Sequence, residues 1–557
     1  FGELLRSSGE NDRAEALLRK AVAAAPQQPA AWLALFVHQQ TTGNPASAEQ
    51  TLAGARAALD REPATLVVAQ ALEVAGRPAG AEAALREAAG DAGATAEPRR
   101  QLAAFLIRHG RPAEAERELE ALLAAAPPPA TAAWGRRALA ALLADRGTHR
   151  DALRALDLLA AHSADGRPRP DDLRLAAVLL SRRPDPRSWR MALERIDALR
   201  EARVLSRADQ RVEAGLRHRT GDTAAARGIL IELAAARDAP LGELIALVDL
   251  LLGTDDLDSA ETWLAALERR AKDDPSTVAL RARLAQARGD QEGAIREARS
   301  LLPSGPITPA GANAALSVAR LYEQLGFGKA AEKILLEVAT VSSAGLGPAA
   351  RLLAADGRGM EALDLLDGAR DRLAAGPRIA AALGVVRALD VHDEAVVDRV
   401  ERWCRKALRD DPGSVAIVGA LGDLLILSDR SQEATALFRE TLARGGWSAV
   451  DAAALRLHLA VALAAPATAD EAVALLDEAE AELGPTPDLL DARGLALVAQ
   501  GRSAEAVATL RDAALGGQPG ALLHLAEALL DEGRLAEARD VLERARKAGI
   551  GKGRLSP

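Results

Sequence analysis

The stretch GRPAEAERELEALLAAAP, residues 110–127, closely matches GENDRAEALLRKAVAAAP, residues 9–26. Each copy has a glycine five residues before an alanine, a leucine four residues after that alanine, and a closing proline. Residues four apart lie on one face of a helix. Glycine accepts the left-handed backbone that ends a helix, and proline stops the helix that follows. The pattern therefore predicts one helical unit that the chain uses more than once.

The same unit recurs sixteen times along the 557 residues. We call the small residue of each unit the marker residue. The markers are Ala14, Ala48, Ala81, Ala115, Ala152, Ala192, Ala226, Ala260, Ala294, Ala331, Ala362, Val400, Ala434, Ala472, Ala506 and Ala538. They follow one another at intervals of 31 to 40 residues, most of them 33 or 34. A period in this range is typical of a solenoid built from helix pairs.

Three further columns accompany the markers. Four residues after the marker, every copy has an apolar residue: Leu18, Leu52, Leu85, Leu119, Leu156, Ile196, Leu230, Leu264, Ala298, Leu335, Leu366, Cys404, Phe438, Leu476, Leu510 and Leu542. Twelve residues before it, most copies have a small residue, for example Ala103, Ala140, Ala282, Ala319, Gly422, Ala460 and Gly494. Five residues before it lie Gly9, Gly43, Gly76, Gly110, Gly147, Gly221, Gly289, Gly326, Gly357, Gly501 and Gly533. These columns predict two helices in close contact, joined by a glycine turn.

This pattern resembles the tetratricopeptide repeat family over essentially the whole chain. Aromatic residues stand at family positions in some copies, namely Trp32, Trp189, Tyr322 and Phe438. The resemblance implies an all-α fold: a right-handed α-solenoid, or superhelix, of about 16 stacked helix-turn-helix repeats. Because one helix pair cannot bury its own apolar face, each copy needs its neighbours.

We expect the array to run continuously over residues 1–557. A truncated first repeat is expected at 1–28, irregular or longer repeats near 163–192, 303–312 and 376–400, and a short tail at 549–557. The chain begins at Phe1 rather than at Met. The sequence therefore leaves undecided whether an upstream segment carries a signal, an anchor or a catalytic domain.

Composition excludes several classes of protein. Hydrophobic residues make up 49% of the chain but aromatic residues only 2%, so the apolar mass is mostly Ala, Leu and Val, and long β-rich stretches are not expected. The net charge of −9 is spread along the chain, which argues against nucleic acid as a partner. No apolar run is long enough for a membrane-spanning helix. The single cysteine excludes an internal disulfide framework and fits a reducing compartment such as the cytoplasm.

The chain contains residue types that serve in catalytic and metal sites, but they lack the spacing that such sites require. The eight histidines are His38, His109, His149, His162, His218, His392, His458 and His524. No two of them have the helical spacing of zinc ligands. Cys404 occupies the apolar column and is predicted to be a core residue. The acidic pairs Asp255–Asp256 and Asp273–Asp274 fall in predicted turns, where aspartate is a usual cap. We therefore expect no catalytic residue, metal or cofactor.

The predicted groove is lined by the first helix of each pair. Reading that helix gives eight candidate partner-binding residues: Arg100, Arg108, Arg137, Arg211, Arg219, Arg283, Arg320 and Arg351. The last copies carry acidic residues instead: Asp423, Asp488, Asp491 and Glu527. The groove is thus predicted to be basic in the middle and acidic near the C-terminus. The alternative is that each arginine pairs with a neighbouring carboxylate, such as Glu323, and holds the repeats together. Arg also outnumbers Lys about nine to one, which is typical of a GC-rich bacterial genome and supplies arginines without a binding role.

Two functions follow from these observations. The favoured one is a non-enzymatic scaffold that binds a protein or peptide, such as an acidic segment, in its concave groove. The other is a regulatory or substrate-docking arm of a larger enzyme whose catalytic domain lies outside residues 1–557.

Overall fold

The computed structural model describes residues 11–91, 93–160, 168–302, 305–389 and 393–547. These residues form 31 α-helices and one short 3₁₀ helix, Ser343–Gly345, and they contain no strand. Consecutive helices pack in pairs, so the predicted all-α solenoid fold is confirmed. His162, His392, Gly9 and the predicted tail at 549–557 lie outside the described residues.

The chain divides into two compact units, Phe1–Leu175 and Ala176–Pro557, which we call unit 1 and unit 2. The helices before the boundary are α1 (Asn11–Ala24), α2 (Pro29–Thr41), α3 (Pro45–Ala58), α4 (Arg61–Val74), α5 (Pro78–Gly90), α6 (Ala96–Arg108), α7 (Pro112–Ala124), α8 (Pro129–Arg146) and α9 (His149–Ala160). The boundary falls inside α10 (Pro170–Arg182). The continuous array over 1–557 stays a prediction.

Unit 2 contains the remaining helices. They are α11 (Pro186–Glu201), α12 (Arg207–Arg219), α13 (Thr223–Ala234), α14 (Leu241–Gly253), α15 (Leu257–Ala271), α16 (Pro275–Ala287), α17 (Gln291–Ser300), α18 (Ala312–Gln324), α19 (Gly328–Val341), α20 (Leu346–Ala355), α21 (Gly359–Asp367), α22 (Ala375–Ala388), α23 (Glu394–Asp410), α24 (Val415–Leu427), α25 (Ser431–Arg444), α26 (Ala449–Ala462), α27 (Ala469–Leu483), α28 (Pro487–Ala499), α29 (Ser503–Leu515), α30 (Ala521–Asp531) and α31 (Leu535–Lys547).

Every marker residue lies on an odd-numbered helix, so we call the odd-numbered helices second helices and the even-numbered ones first helices. Fifteen of the sixteen markers are buried, as the periodicity predicts. The apolar column four residues later is buried in all but three copies. Two of the three, Leu18 and Leu542, are half-buried on the first and last described helices. Burial of these two columns is what a stack of helix pairs requires.

The fifth copy departs from the predicted register. Ala152 and Leu156 are only half-buried on α9, whereas Ala155 and Leu159 are 0% and 5% exposed. The prediction at this copy was wrong by three residues. The preceding first helix, α8, has 18 residues where most first helices have 13, and this extra length delays the packing face of α9.

The ten described glycines of the turn column all have positive φ, between 69° and 89°. Two copies have aspartate at the same position, Asp255 and Asp429, and both adopt φ of 59°. The turn between the helices of a pair thus demands a left-handed residue whichever side chain is present. No helix in the described part of the chain has the length and apolarity needed to cross a membrane.

Candidate partner-binding surface

Side-chain contacts link four consecutive first helices of unit 2, α14, α16, α18 and α20, which carry three of the predicted arginines. Arg283 of α16 pairs with Asp249 of α14. Gln286 of α16 donates to the carbonyl oxygen of Leu325 after α18, at 3.0 Å. Arg351 of α20 donates to Glu323 of α18, at 2.7 Å. We call Arg283, Arg320 and Arg351 the central arginine column, because contacts of this kind link each of their helices to the next.

Arg320 differs from its two neighbours in the column. Its side chain is exposed, and it makes no hydrogen bond or ion pair with any residue that the structure describes. Glu323 lies one helical turn from Arg320 but is bound by Arg351 instead. Arg320 is therefore a solvated cation flanked by two paired ones.

The arginines predicted in unit 1 each have an acidic partner. Arg100 donates to Glu97 at 2.7 Å and lies over the ring of Trp134. Arg108 donates to Glu73 at 2.8 Å. These hydrogen bonds hold the pKa values of Glu97 and Glu73 below their ordinary value. Both carboxylates therefore stay charged and bound to their arginines.

Arg137 completes the unit 1 set and contacts a more deeply buried acid. It donates to Asp172 at 2.9 Å, and Asp172 is almost fully buried. A buried carboxylate without its cation is costly. Arg137 thus neutralises an interior charge.

Arg211 and Arg219 also have structural contacts. Arg211 donates to Glu243 at 2.8 Å, and Arg207 approaches the same carboxylate from α12. Glu243 is buried, and its hydrogen bond to Arg207 lowers its pKa against the effect of burial. Arg219 donates to the carbonyl oxygen of Ser181 at 2.8 Å and stacks on Trp189, and burial lowers its pKa. These two arginines stabilise α12 against its neighbours.

The acidic residues predicted near the C-terminus are partly neutralised as well. Asp423 accepts from Arg387 at 2.7 Å and lies 2.9 Å from the ring nitrogen Nδ1 of His458. Asp491 lies 2.8 Å from Nδ1 of His524, and Asp488 accepts from Gln518. Asp488 and Glu527 are both exposed and form no ion pair with a residue that the structure describes.

Sequence reasoning missed a second set of arginines, located four residues before the marker. Arg111 donates to Glu114 through two nitrogens at 2.7 Å, and it reaches Glu82 of the preceding second helix at 2.6 Å. Arg358 and Arg430 make the same three contacts in their own copies. We call these three residues the repeat-bridging arginines. Each fixes the start of one second helix to the body of the one before it.

The signal for this set is visible in the sequence. A six-residue pattern carries it: glycine or aspartate, then arginine, then any two residues, then glutamate and alanine. The pattern recurs at 110–115, 357–362, 429–434, 501–506 and 533–538. The hydrogen bonds from Arg111 lower the pKa of Glu114 to about 2. The pKa values of Glu361 and Glu433 are lowered by Arg358 and Arg430 in the same way.

Cys404 lies fully buried, at the core position that its place in the repeat predicts. Burial raises the pKa of its thiol to about 12, and a protonated thiol is a poor nucleophile. Within the described ranges, no three His, Cys, Asp or Glu side chains come close enough together to hold a metal ion.

Comparison with known proteins finds a family similarity over the first part of the chain. Residues 5–70 match the tetratricopeptide repeat family model, which confirms the resemblance predicted from the sequence. No curated protein matches the chain. A similar solved chain belongs to the crystal structure of the APC/C hetero-tetramer Cut9-Hcn1. It is 12% identical, with 98% of this chain and 95% of that chain covered and a TM-score of 0.39. Similarity this low carries no argument about partners.

Proposed function

We propose that this tetratricopeptide repeat protein is a scaffold that holds a partner protein along the first helices α14 to α20. The observation that carries the proposal is Arg320, an exposed arginine with no described ionic partner between Arg283 and Arg351. The chain acts by binding alone. Its contribution is a fixed row of guanidinium groups on a rigid helical frame.

Arg283 and Arg351 can also contribute to binding, although both are paired in the free protein. Their partners are accessible to water: the side chains of Asp249 and Glu323 are 53% and 27% exposed. An exposed ion pair is worth about 0 to 1 kcal/mol. A carboxylate or phosphate on a partner can therefore replace the internal carboxylate at small cost and gain a planar, bidentate contact.

The chemistry of the column favours an acidic or phosphorylated segment in extended conformation. One guanidinium gives little affinity, but a row of three on consecutive first helices selects charge sign along a segment. The arginines that bind Glu243 and Asp172 are not part of this row, because their removal would leave a buried carboxylate unpaired.

The test compares Arg320→Glu with Lys333→Glu. Lys333 lies on α19, the second helix of the same repeat, and is exposed without an ion pair to a described residue. The two variants therefore change charge equally, one on the first helix and one on the second helix of the same repeat. Fluorescence anisotropy with a Glu-rich peptide and a phosphoserine peptide, and a Lys-rich peptide as the negative probe, should show weakened acidic binding in Arg320→Glu alone. Binding of the wild type should also weaken with salt.

The structural alternative makes the opposite prediction for a triple variant. If Arg283, Arg320 and Arg351 only hold repeats together, changing all three to Glu lowers the melting temperature and leaves peptide binding to the remaining folded protein unchanged. A stable triple variant that still binds the acidic peptides as the wild type does would contradict the proposed groove.

A further inference from the structure

Two helices far apart in sequence meet inside unit 2. Arg190 on α11 donates two hydrogen bonds to Asp512 on α29, at 3.2 and 2.9 Å, across 322 residues of chain. Seventeen of the described α-helices lie between them in sequence. In a repeat array each repeat contacts its neighbours, and small rotations accumulate from one repeat to the next. The contact between α11 and α29 therefore joins two parts of unit 2 that contacts between neighbouring repeats would not bring together.

The backbones come close beside this ion pair. Gly516 ends α29, and a β-carbon built on it would lie 2.9 Å from the carbonyl oxygen of Pro184 and 2.7 Å from Cγ of Pro487. Asp185 fixes the start of α11, since its buried carboxylate accepts from the backbone nitrogen and the hydroxyl of Ser188, both at 2.7 Å. The N-terminal end of α11 thus has a capped, fixed local geometry and lies against the C-terminal end of α29.

Away from the close approach at Gly516, the interface around the ion pair is open to solvent. A cleft of about 380 Å³ lies beside the ion pair, with Arg187, Glu480 and Arg493 among its lining residues. The side chains of Arg190 and Asp512 are 55% and 27% exposed. Exposed ion pairs are weak and screened by salt. A contact of this composition can separate and re-form while the apolar contacts within each helix pair stay intact.

We propose that the contact between α11 and α29 is a salt-sensitive latch that closes unit 2 and opens without unfolding any repeat. When the latch is closed, it limits the bending motions that the intervening repeats would otherwise add together. With it open, unit 2 extends and its two ends move apart. A partner that binds one of these states better shifts the equilibrium toward that state.

Double electron–electron resonance measures the latch directly. Spin labels at Glu194→Cys on α11 and Ala504→Cys on α29 take exposed positions, and buried Cys404 is shielded from labelling. The wild type should give one short, narrow distance distribution at low salt. At about 1 M salt, where the screening length is about 3 Å, the distribution should become longer and broader. Asp512→Arg should give the long distribution at low salt, and adding Arg190→Asp should restore the short one.

Asp540→Arg is the matched control, because Asp540 is an exposed aspartate on α31 without a described ion pair. It should keep the short distribution. Far-ultraviolet circular dichroism should show equal helix content in all variants, and the neutral variant Asp512→Asn gives a milder opening if Asp512→Arg folds poorly. The latch is refuted if Asp512→Asn and high salt both leave the distribution unchanged, or if Asp540→Arg opens unit 2 as Asp512→Arg does.

Discussion

The ring of Phe438 occupies the space that a β-carbon on Gly422 would need. Gly422 lies on α24 and Phe438 on α25, the two helices of one pair. Gly494 of α28 and Leu510 of α29 repeat this relationship. The small-residue column and the apolar column are therefore two halves of one contact, and the size of one residue sets the size allowed for the other.

Gly422→Ala should destabilise unit 2 by about 1 to 3 kcal/mol, because the added methyl group forces the ring of Phe438 to move. The control is Gly384→Ala on α22, where nothing lies within 4 Å of an added β-carbon. That change should be neutral, or stabilising by up to about 1 kcal/mol, since alanine favours helix over glycine. Urea unfolding of the two variants measures both. Equal effects would show that the close approach at Gly422 does not constrain the pair.

Leu119→Ala should cost about 2 to 5 kcal/mol, because Leu119 is fully buried between helices of unit 1. Ala103→Leu should cost about 1 to 3 kcal/mol by overpacking the same pair. Stability in a repeat array is close to a sum of local contributions. Hydrogen exchange should therefore quicken in α6 to α9 and stay unchanged in α24 to α29. Uniform loss of protection along the chain would contradict local stability.

The corrected register of α9 gives a direct comparison. Leu159→Ala should cost about 2 to 5 kcal/mol, since Leu159 is buried. Leu156→Ala should cost clearly less, because Leu156 is only half-buried. Thermal unfolding of the two single variants decides between the registers. A larger loss for Leu156→Ala would restore the register that the periodicity predicts.

The repeat was predictable because its information is short-range. The contact between Ala115 and its first helix depends on residues within one period, and the same spacing appears in copy after copy. The register of α9 was not predictable in this way. It depends on where α8 ends. The residues that lengthen α8 are ordinary helix formers, and they do not change the pattern of small and apolar residues at the repeat positions.

The pairing of the arginines was less predictable than the helices. A guanidinium on a long flexible stem reaches carboxylates on its own helix, as Arg100 does, or on the preceding first helix, as Arg351 does. Sequence gives the charge and the face but not which acid is reached. The contact between Arg190 and Asp512 is even harder to predict from the sequence, because it depends on small rotations that accumulate over many repeats.

Asp429→Gly should stabilise unit 2 by about 0.5 to 1 kcal/mol, because Asp429 has φ of 59° and glycine adopts that conformation without steric cost. The reciprocal change is Gly501→Asp, which places aspartate at the same repeat position with φ of 73°. It should destabilise by a similar amount. Differential scanning calorimetry of the two variants measures both shifts. A loss of stability in Asp429→Gly would mean that its side chain makes a contribution larger than the backbone strain.

The pair formed by Arg111 and Glu114 should make stability depend on pH in a defined window. The pKa of Glu114 is lowered from its ordinary value of 4.5 to about 2, chiefly by its hydrogen bonds from Arg111. A carboxylate with a lowered folded-state pKa contributes stability that is fully present above its unfolded pKa and is lost as pH falls to the folded value. The contribution of Glu114 should therefore be complete above pH 4.5 and should be lost as pH falls through about 2.

Glu114→Gln isolates this contribution. The melting temperature of the wild type should exceed that of Glu114→Gln above pH 4.5, and the difference should shrink steadily as pH falls through about 2. Arg111→Gln should reduce this pH dependence without abolishing it, because Arg86 still donates to Glu114 at 2.7 Å. The loss of stability in the double variant should be smaller than the sum of the two single losses, because Arg111 and Glu114 share one interaction. A difference between wild type and Glu114→Gln that persisted unchanged to pH 2 would show that Glu114 stabilises the repeat through packing or helix capping and not through its charge.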